Sequence, residues 1–266
     1  MPSYPYAPKN GVIQLPWECM YTFMLEPRFG ERVLGRGTCF SVSRNGRWFI
    51  VTNRHNVTGH RQGTRVCINE HGLVPDHLVI ALPTNQLGDR WWGHAIKVRD
   101  DDWSPLWVEH PTYGGQVDVV ALAFDRPPQA KVFGALLDDL NDFAVTPGDV
   151  AHALGYRRGE PEFSLFPQWI ECAVQTPIEA HWEDLPRFLV QGDFFHGSSG
   201  SPVLAYREDA FELPRSDGSP VSASEASRLL GIYSGRVVGA EDLGVVWNLG
   251  CVREVVDHAL LSGQSS

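Results

Sequence analysis

Short runs of β-branched and aromatic residues, each closed off by Gly, Pro, Asn or Asp, recur along nearly the whole chain. They cover residues 37–42, 48–52, 65–68, 78–82, 94–98 and 117–124, then 150–154, 163–174, 188–190, 202–205, 231–233 and 244–247. Runs of this length and spacing fit the strands of a barrel or sandwich. A βαβ fold would need long helical patterns between the strands, and these are mostly missing. One convincing helix lies near the end, at 252–261, where Val255, Val256, Ala259 and Leu260 can share a face. The pattern is that of an all-β protein.

The strand rhythm breaks at 126–147, where RPPQ, the acidic LLDDLND and the turn TPGD follow one another. This reads as a connection between two β domains, and 266 residues suffice for one large core or two modest ones. A polar stretch at 207–228, with RSDGSP and SASEAS, is too poor in apolar residues to form a core and reads as a solvent-facing insertion. The expected division is an N-terminal extension (1–30), a first β domain (31–125), a connection (126–146) and a second β domain (147–257). The last carries the insertion and is closed by a helix and tail (252–266).

With 43% hydrophobic and 20% charged residues the chain reads as a soluble globular protein. Its net charge of -10 and lack of a basic stripe argue against nucleic-acid binding. The N-terminus has no basic patch followed by an apolar run, so it does not read as a secretory signal. No run is long enough to cross a bilayer. The expectation is a cytoplasmic protein with no membrane partner. Five cysteines (Cys19, Cys39, Cys67, Cys172, Cys251) lack CxxC spacing and are expected to be reduced, and ten dispersed histidines show no HExxH. Neither metal nor cofactor is expected.

The most informative segment is Gly197-Ser198-Ser199-Gly200-Ser201-Pro202, followed by apolar Val203-Leu204-Ala205. A serine between glycines at a sharp turn exposes its hydroxyl and lets backbone N–H groups converge on a reacting carbonyl with no Cβ in the way. Ser199 is the candidate nucleophile, with Ser198 as the alternative hydroxyl. Gly197 and Ser199 are the candidate oxyanion donors. Upstream, apolar residues 49–51 lead into Thr52-Asn53-Arg54-His55-Asn56-Val57, which sets an imidazole at a strand–loop junction. Asp118 opens Asp118-Val119-Val120-Ala121-Leu122, where a partly buried carboxylate requires a partner such as His55.

Together these segments resemble the chymotrypsin/trypsin-like serine peptidase family, in the manner of a bacterial-type member without the usual disulfide framework. Residues 52–57 resemble the family's TNAHV-like histidine segment. Residues 118–121 resemble its D-[IV]-A-[LV] segment, with Val120 where the family has Ala. Residues 197–202 resemble G-x-S-G-G-P, with Ser201 replacing the second glycine. Gly35-x-Gly37-Thr38, His110-Pro111 and Gly231-Ile232-Tyr233-Ser234 add further likeness, and the resemblance spans about residues 30–257. The chain order His, Asp, Ser also differs from the Ser-acid-His of α/β-hydrolases and the Asp-His-Ser of subtilisins.

The resemblance implies two antiparallel β-barrels and a serine endopeptidase acting through an acyl-enzyme, with His55, Asp118 and Ser199 as catalytic triad. The strand from Gly231 would bind an extended polypeptide substrate, and Ser234 would lie behind the triad against Asp118. For the residue preceding the cut bond (P1), it offers Asp193, six positions before Ser199, as a selector for Arg or Lys. Arg236, where trypsin has glycine, would narrow the pocket, pair with Asp193 or attract an acidic side chain. His196 is a candidate for the pocket wall, and Tyr233 and Gly235 complete the candidate substrate-binding set. Basic, small or apolar, and acidic P1 residues all stay open. Secreted relatives use an aspartate directly before the nucleophile in activation. Ser198 stands there, which leaves constitutive activity and an activating protein or ligand as alternatives. An inactive binding module and an acyl hydrolase of non-peptide esters are the competing readings.

Overall fold

The computed structural model describes residues 16–84, 91–138, 143–157, 166–207, 211–214, 220–223 and 226–263. The first sheet holds β1 (Thr22–Phe29), β2 (Arg32–Val33), β3 (Gly37–Arg44), β4 (Arg47–Thr52), β5 (His77–Pro83), β6 (Trp91–Lys97), β7 (Trp107–Val108) and β8 (Val120–Ala123). Its order is β6-β5-β1-β3-β4-β8-β7, with β2 paired to β1. The second holds β9 (Val150–Gly155), β10 (Gln168–Val174), β11 (Arg187–Gly192), β12 (Pro202–Arg207), β15 (Ala226–Val237) and β16 (Ala240–Asn248), closed in the order β10-β11-β16-β15-β12-β9. Between β12 and β15, β13 (Phe211–Pro214) and β14 (Pro220–Ala223) form a separate hairpin inside the expected 207–228 insertion. The helices are α1 (Arg54–Thr58) and α2 (Leu249–Leu261).

The second β domain is a true six-stranded barrel, whereas the first, expected to be a barrel too, is an open half-barrel. Among the described residues, the segments running on from β6 and into β7 meet at an isolated bridge, Arg99↔Pro105, and at two backbone bonds, Leu106 N–H to the Val98 carbonyl (2.9 Å) and Asp100 N–H to the Ser104 carbonyl (3.0 Å). β7 has only two residues, and Pro105, just upstream of it, has no N–H to extend the ladder. The N-terminal segment also departs from expectation. Residues 22–29 of the supposed 1–30 extension form β1, which lies in mid-sheet between β3 and β5. The run at 65–68 makes no strand; it contributes one bridge, His60↔Cys67. Residues 163–165 of the expected 163–174 strand lie outside the described residues.

The β3–β4 hairpin turns on Asn45 (φ 50) and Gly46 (φ 76), between the paired Arg44 and Arg47. Two successive left-handed residues are what a two-residue hairpin loop requires. β4 is apolar without alternation because both its faces are covered. Ile50 points into the half-barrel core with Phe23, Leu25, Leu78 and Leu122. Phe49 and Val51 point into a second core shared with Trp169, Ile232 and Trp247 of the barrel and with α2. The barrel interior is filled by Ala153, Phe188, Val190, Val203 and Val246.

α2 belongs to the shared core. Val252, Val255 and Val256 are fully buried, each contributing about 1.5–3 kcal/mol. Its polar side reaches back to the first sheet through Arg44–Asp257 (3.0 Å) and His110–Glu254 (3.2 Å). No two of the five cysteines form a disulfide, so packing and hydrogen bonds hold the two units together. No helix among the described residues is long and apolar enough to cross a membrane. The α2 N-terminus is capped by the Asn248 side chain, which accepts the Cys251 N–H at 2.9 Å. Asn248→Ala is expected to lower unfolding stability by about 1 kcal/mol, read as a lower urea midpoint at unchanged m-value.

Candidate active site

β4 ends at Thr52, paired with Val120 at the start of β8. His55, in α1 just past β4, and Asp118, just before β8, therefore emerge at the same end of two adjacent strands. Gly59 (φ 70) stops α1 after five residues, donating its N–H to the His55 carbonyl. Asp118 is fully buried, and a buried carboxylate must be met by donors. Its Oδ1 accepts the His55 backbone N–H at 2.9 Å, and its Oδ2 faces His55 Nδ1 at 2.7 Å. The Ser234 hydroxyl of β15 donates to the same Oδ2 at 2.5 Å. The Asp118 carbonyl takes the Asn53 side-chain amide at 2.8 Å.

A carboxylate at Nδ1 fixes the proton there and leaves the Nε2 lone pair for chemistry. Nε2 makes no hydrogen bond to any described residue. Burial of the ring on its own would lower the His55 pKa, but the charge and hydrogen bond of Asp118 outweigh it and hold the pKa above the ordinary histidine value. The arrangement favours an imidazolium without preventing a neutral base.

Ser199 lies on the turn entering β12. Its hydroxyl donates to the Ser234 carbonyl at 2.9 Å, so Ser234 touches both Asp118 and Ser199. Three amides of the turn are spent on backbone carbonyls. The N–H of Ser198 goes to the Phe195 carbonyl (3.2 Å), that of Gly200 to Tyr233 (2.9 Å) and that of Ser201 to Ser198 (3.0 Å). The N–H groups of Gly197 and Ser199 have no acceptor among the described residues, and both residues line the cleft. Two unspent amides flanking a hydroxyl can together bind a developing oxyanion.

The turn is held from both sides. Thr38 of β3 donates its hydroxyl to the Gly197 carbonyl (2.8 Å) and its N–H to the Ser199 carbonyl (2.8 Å). It draws both carbonyls toward the first sheet. Gly200 (φ 94) lies so close that a Cβ there would sit 1.9 Å from the Thr38 carbonyl, which explains the glycine directly after Ser199. Ser198 is buried, donating its hydroxyl to the Phe195 carbonyl (2.8 Å) and accepting the Phe195 N–H (3.3 Å). Ser201 Oγ, where the family motif has glycine, has no partner among the described residues and packs against Gly155, whose missing Cβ makes its room.

A cleft of about 710 Å³ runs past these groups, lined by His55, Gly197, Ser199, Tyr233, Gly235 and Arg236 with others. His196 lines it as an exposed side chain. Arg236 pairs with Glu241 at 2.9 Å, not with Asp193. Asp193 is exposed and is not among the lining residues, so the structure does not bring that candidate to the site. The edge of β15 past Ser234 pairs with no strand among the described residues, since its pairing with β12 stops at Ile232 while pairing with β16 continues. Sequence reasoning missed Phe194, Glu241 and the clamping role of Thr38. Thr38 stood in a quoted motif, but its contact lies 159 residues away. No group of three or more metal-ligating side chains gathers among the described residues.

Residues 37–211 match the trypsin-like peptidase domain family. Among solved structures, the active form of the Rv3671c protease from M. tuberculosis is similar, with 17% identity over 90% of this chain and 81% of that one, and a TM-score of 0.48. A serine endoprotease from Yersinia pestis shares 16% identity over 92% of this chain and 65% of its own, with a TM-score of 0.49. No curated protein matches the chain. In ring-proton NMR, His55 is expected to titrate above the ordinary histidine pKa. In Asp118→Asn, burial alone remains, and the value should fall below it.

Proposed function

The chain belongs to the trypsin-like peptidase domain family, and from that premise we propose that it is a serine endopeptidase in which Ser199, His55 and Asp118 are the nucleophile, base and orienting carboxylate. One observation carries the reading. A histidine held by a buried aspartate, a serine hydroxyl and two amides line one cleft, the outer nitrogen of the histidine and both amides having no partner among the described residues.

An extended peptide lies along the free edge of β15 and adds a strand to it. Its N–H takes the Ser234 carbonyl and displaces the Ser199 hydroxyl, which turns to His55 Nε2. As Ser199 Oγ attacks the carbonyl carbon, its proton passes to Nε2, and the negative oxygen is received by the N–H groups of Gly197 and Ser199. His55, now an imidazolium stabilised by Asp118, gives that proton to the leaving amine, and an acyl-enzyme remains. Water then attacks with His55 again as base, releasing the acid and restoring Ser199. Every step uses side chains and amides of this chain.

Treatment with a fluorophosphonate, read by mass spectrometry, is expected to label wild-type protein on Ser199 and to leave Ser199→Ala unlabelled, with peptide cleavage tracking the label. A folded wild-type protein that neither labels nor cleaves would sink the reading. Asp118→Asn should lower kcat by about 10⁴-fold. Because the base must be neutral, the rate rises with pH through the His55 pKa. Since that pKa is raised, the acid limb of kcat/KM should lie above the ordinary histidine value. Thr38→Val, which frees the Gly197 carbonyl to turn toward the cleft, should lower kcat about 10- to 100-fold with little change in KM.

A further inference from the structure

The geometry points to a P1 pocket already filled by this protein's own aromatic rings, so that the enzyme cuts after small residues such as Gly, Ala or Ser. The inference rests on the serine endopeptidase reading and names its substrate class.

The pocket's place follows from the groups around it. A carbonyl carbon at Ser199 Oγ, its oxygen toward the amides of Gly197 and Ser199 and its residue's N–H on the Ser234 carbonyl, directs the P1 side chain between the 194–197 turn and the edge of β15. Two aromatic rings close the inner end of that space. The rings of Phe194 and Tyr233 stack there, with centroids 4.1 Å apart and planes at 16°. Both residues are buried, at 1% and 2% exposure. Behind them lies Gly244 of β16, where a Cβ would fall 2.7 Å from Tyr233 Cε2 and 2.8 Å from Phe194 Cε2. The rings therefore close the slot at its inner end against β16, so that a long or aromatic substrate side chain cannot pass behind them.

The mouth is narrowed as well. Arg236 reaches from β15 across to the turn and donates to the Phe194 carbonyl, while Nη1 pairs with Glu241 at 2.9 Å. The guanidinium and the carboxylate cancel each other's charge at the rim, and Asp193 stands outside the cleft. A Lys or Arg thus finds no unpaired carboxylate at the base, and an acidic side chain finds a cation already engaged. Of the three substrate classes the sequence left open, only the small one fits without displacing a side chain that is already packed or paired.

The test uses two readouts on the whole chain. Acetylated tetrapeptide-amide libraries, with P1 fixed in turn as Ala, Ser, Leu, Phe, Lys or Glu, are cleaved by wild type, Phe194→Ala and Arg236→Ala. The corresponding peptide acids, with P1 as the free C-terminus, are titrated into Ser199→Ala by calorimetry. Wild type is expected to favour Ala and Ser at least tenfold in kcat/KM, and Ser199→Ala to bind those peptides at least tenfold tighter. Phe194→Ala should move the preference to Leu or Phe, and Arg236→Ala, at an exposed site, should narrow the gap between Ala and Leu. Wild-type preference for Phe, Leu, Lys or Glu would overturn the pocket assignment. So would a Phe194→Ala protein that labels normally with fluorophosphonate yet keeps the wild-type profile, or equal binding or none of all the acids by Ser199→Ala. If wild type neither labels nor cleaves while Ser199→Ala still selects Ala and Ser, the activity reading fails and the pocket assignment stands.

Discussion

The buried carboxylate of Asp118 is the constraint on which the rest of the structure depends. Removing an ionised group from water costs several kcal/mol even after relaxation. Asp118 has no solvent exposure, and three donors meet it within 2.9 Å. Two belong to His55 and come from the strand beside its own. The third, the Ser234 hydroxyl, belongs to the other β domain. The same carboxylate therefore orients the imidazole and pins the barrel to the half-barrel at the point where chemistry is proposed. If the two units separated, the carboxylate would lose its Ser234 donor, so the docking of one on the other and the geometry of the cleft are linked.

The hydrogen bonds around the nucleophile turn repeat this logic with neutral groups. Thr38, from the first sheet, holds the carbonyls of Gly197 and Ser199, while the Tyr233 carbonyl, from the barrel, takes the Gly200 N–H. Each contact contributes about 1 kcal/mol, little beside the core shared by β4, β15, β16 and α2. Their effect is directional: they assign each carbonyl and amide of a short loop to a side. The shared core supplies the stability, and the polar contacts supply the aim.

Much of this was legible in the sequence for local reasons, and what was not legible depended on distant partners. The apolar segments before His55 and after Asp118 and Ser199 showed themselves because β4, β8 and β12 are buried and each ends at a turn. β1 hid because Glu26, Pro27 and Arg28 interrupt its apolar run. Glu26 is nonetheless buried, held by Arg28 and Arg36 at 2.6 and 3.0 Å. The run at 65–68 looked like a strand from composition alone, but Val66 and Ile68 are 57% and 48% exposed, since strand preference follows packing, which no single segment reveals. Closure of one sheet and not the other rests on whether β6 and β7 have residues enough to pair. Asp193 was placed by counting back from Ser199, and counting could not tell that Phe194, one residue on, turns inward and fills the space.

Ser198 shows how a charged latch can be replaced. A carboxylate at this fully buried position would need a cation brought to it, and the turn would be ordered only once that cation arrived. A hydroxyl needs no such visitor. It closes a reciprocal pair with the N–H and carbonyl of Phe195 inside the same turn, beside the backbone bond from the Ser198 N–H. That turn places Gly197 at φ 108, in the left-handed region that glycine adopts at no steric cost, and leaves its amide unspent. All donors and acceptors of the latch lie within four consecutive residues, so the turn takes this conformation from its own sequence and from Thr38 above it. On the proposed reading, the oxyanion site is assembled before any substrate or partner arrives, and discrimination falls to what the cleft admits. That is why the ring pair behind Ser199 matters more to the function than any charge at the rim.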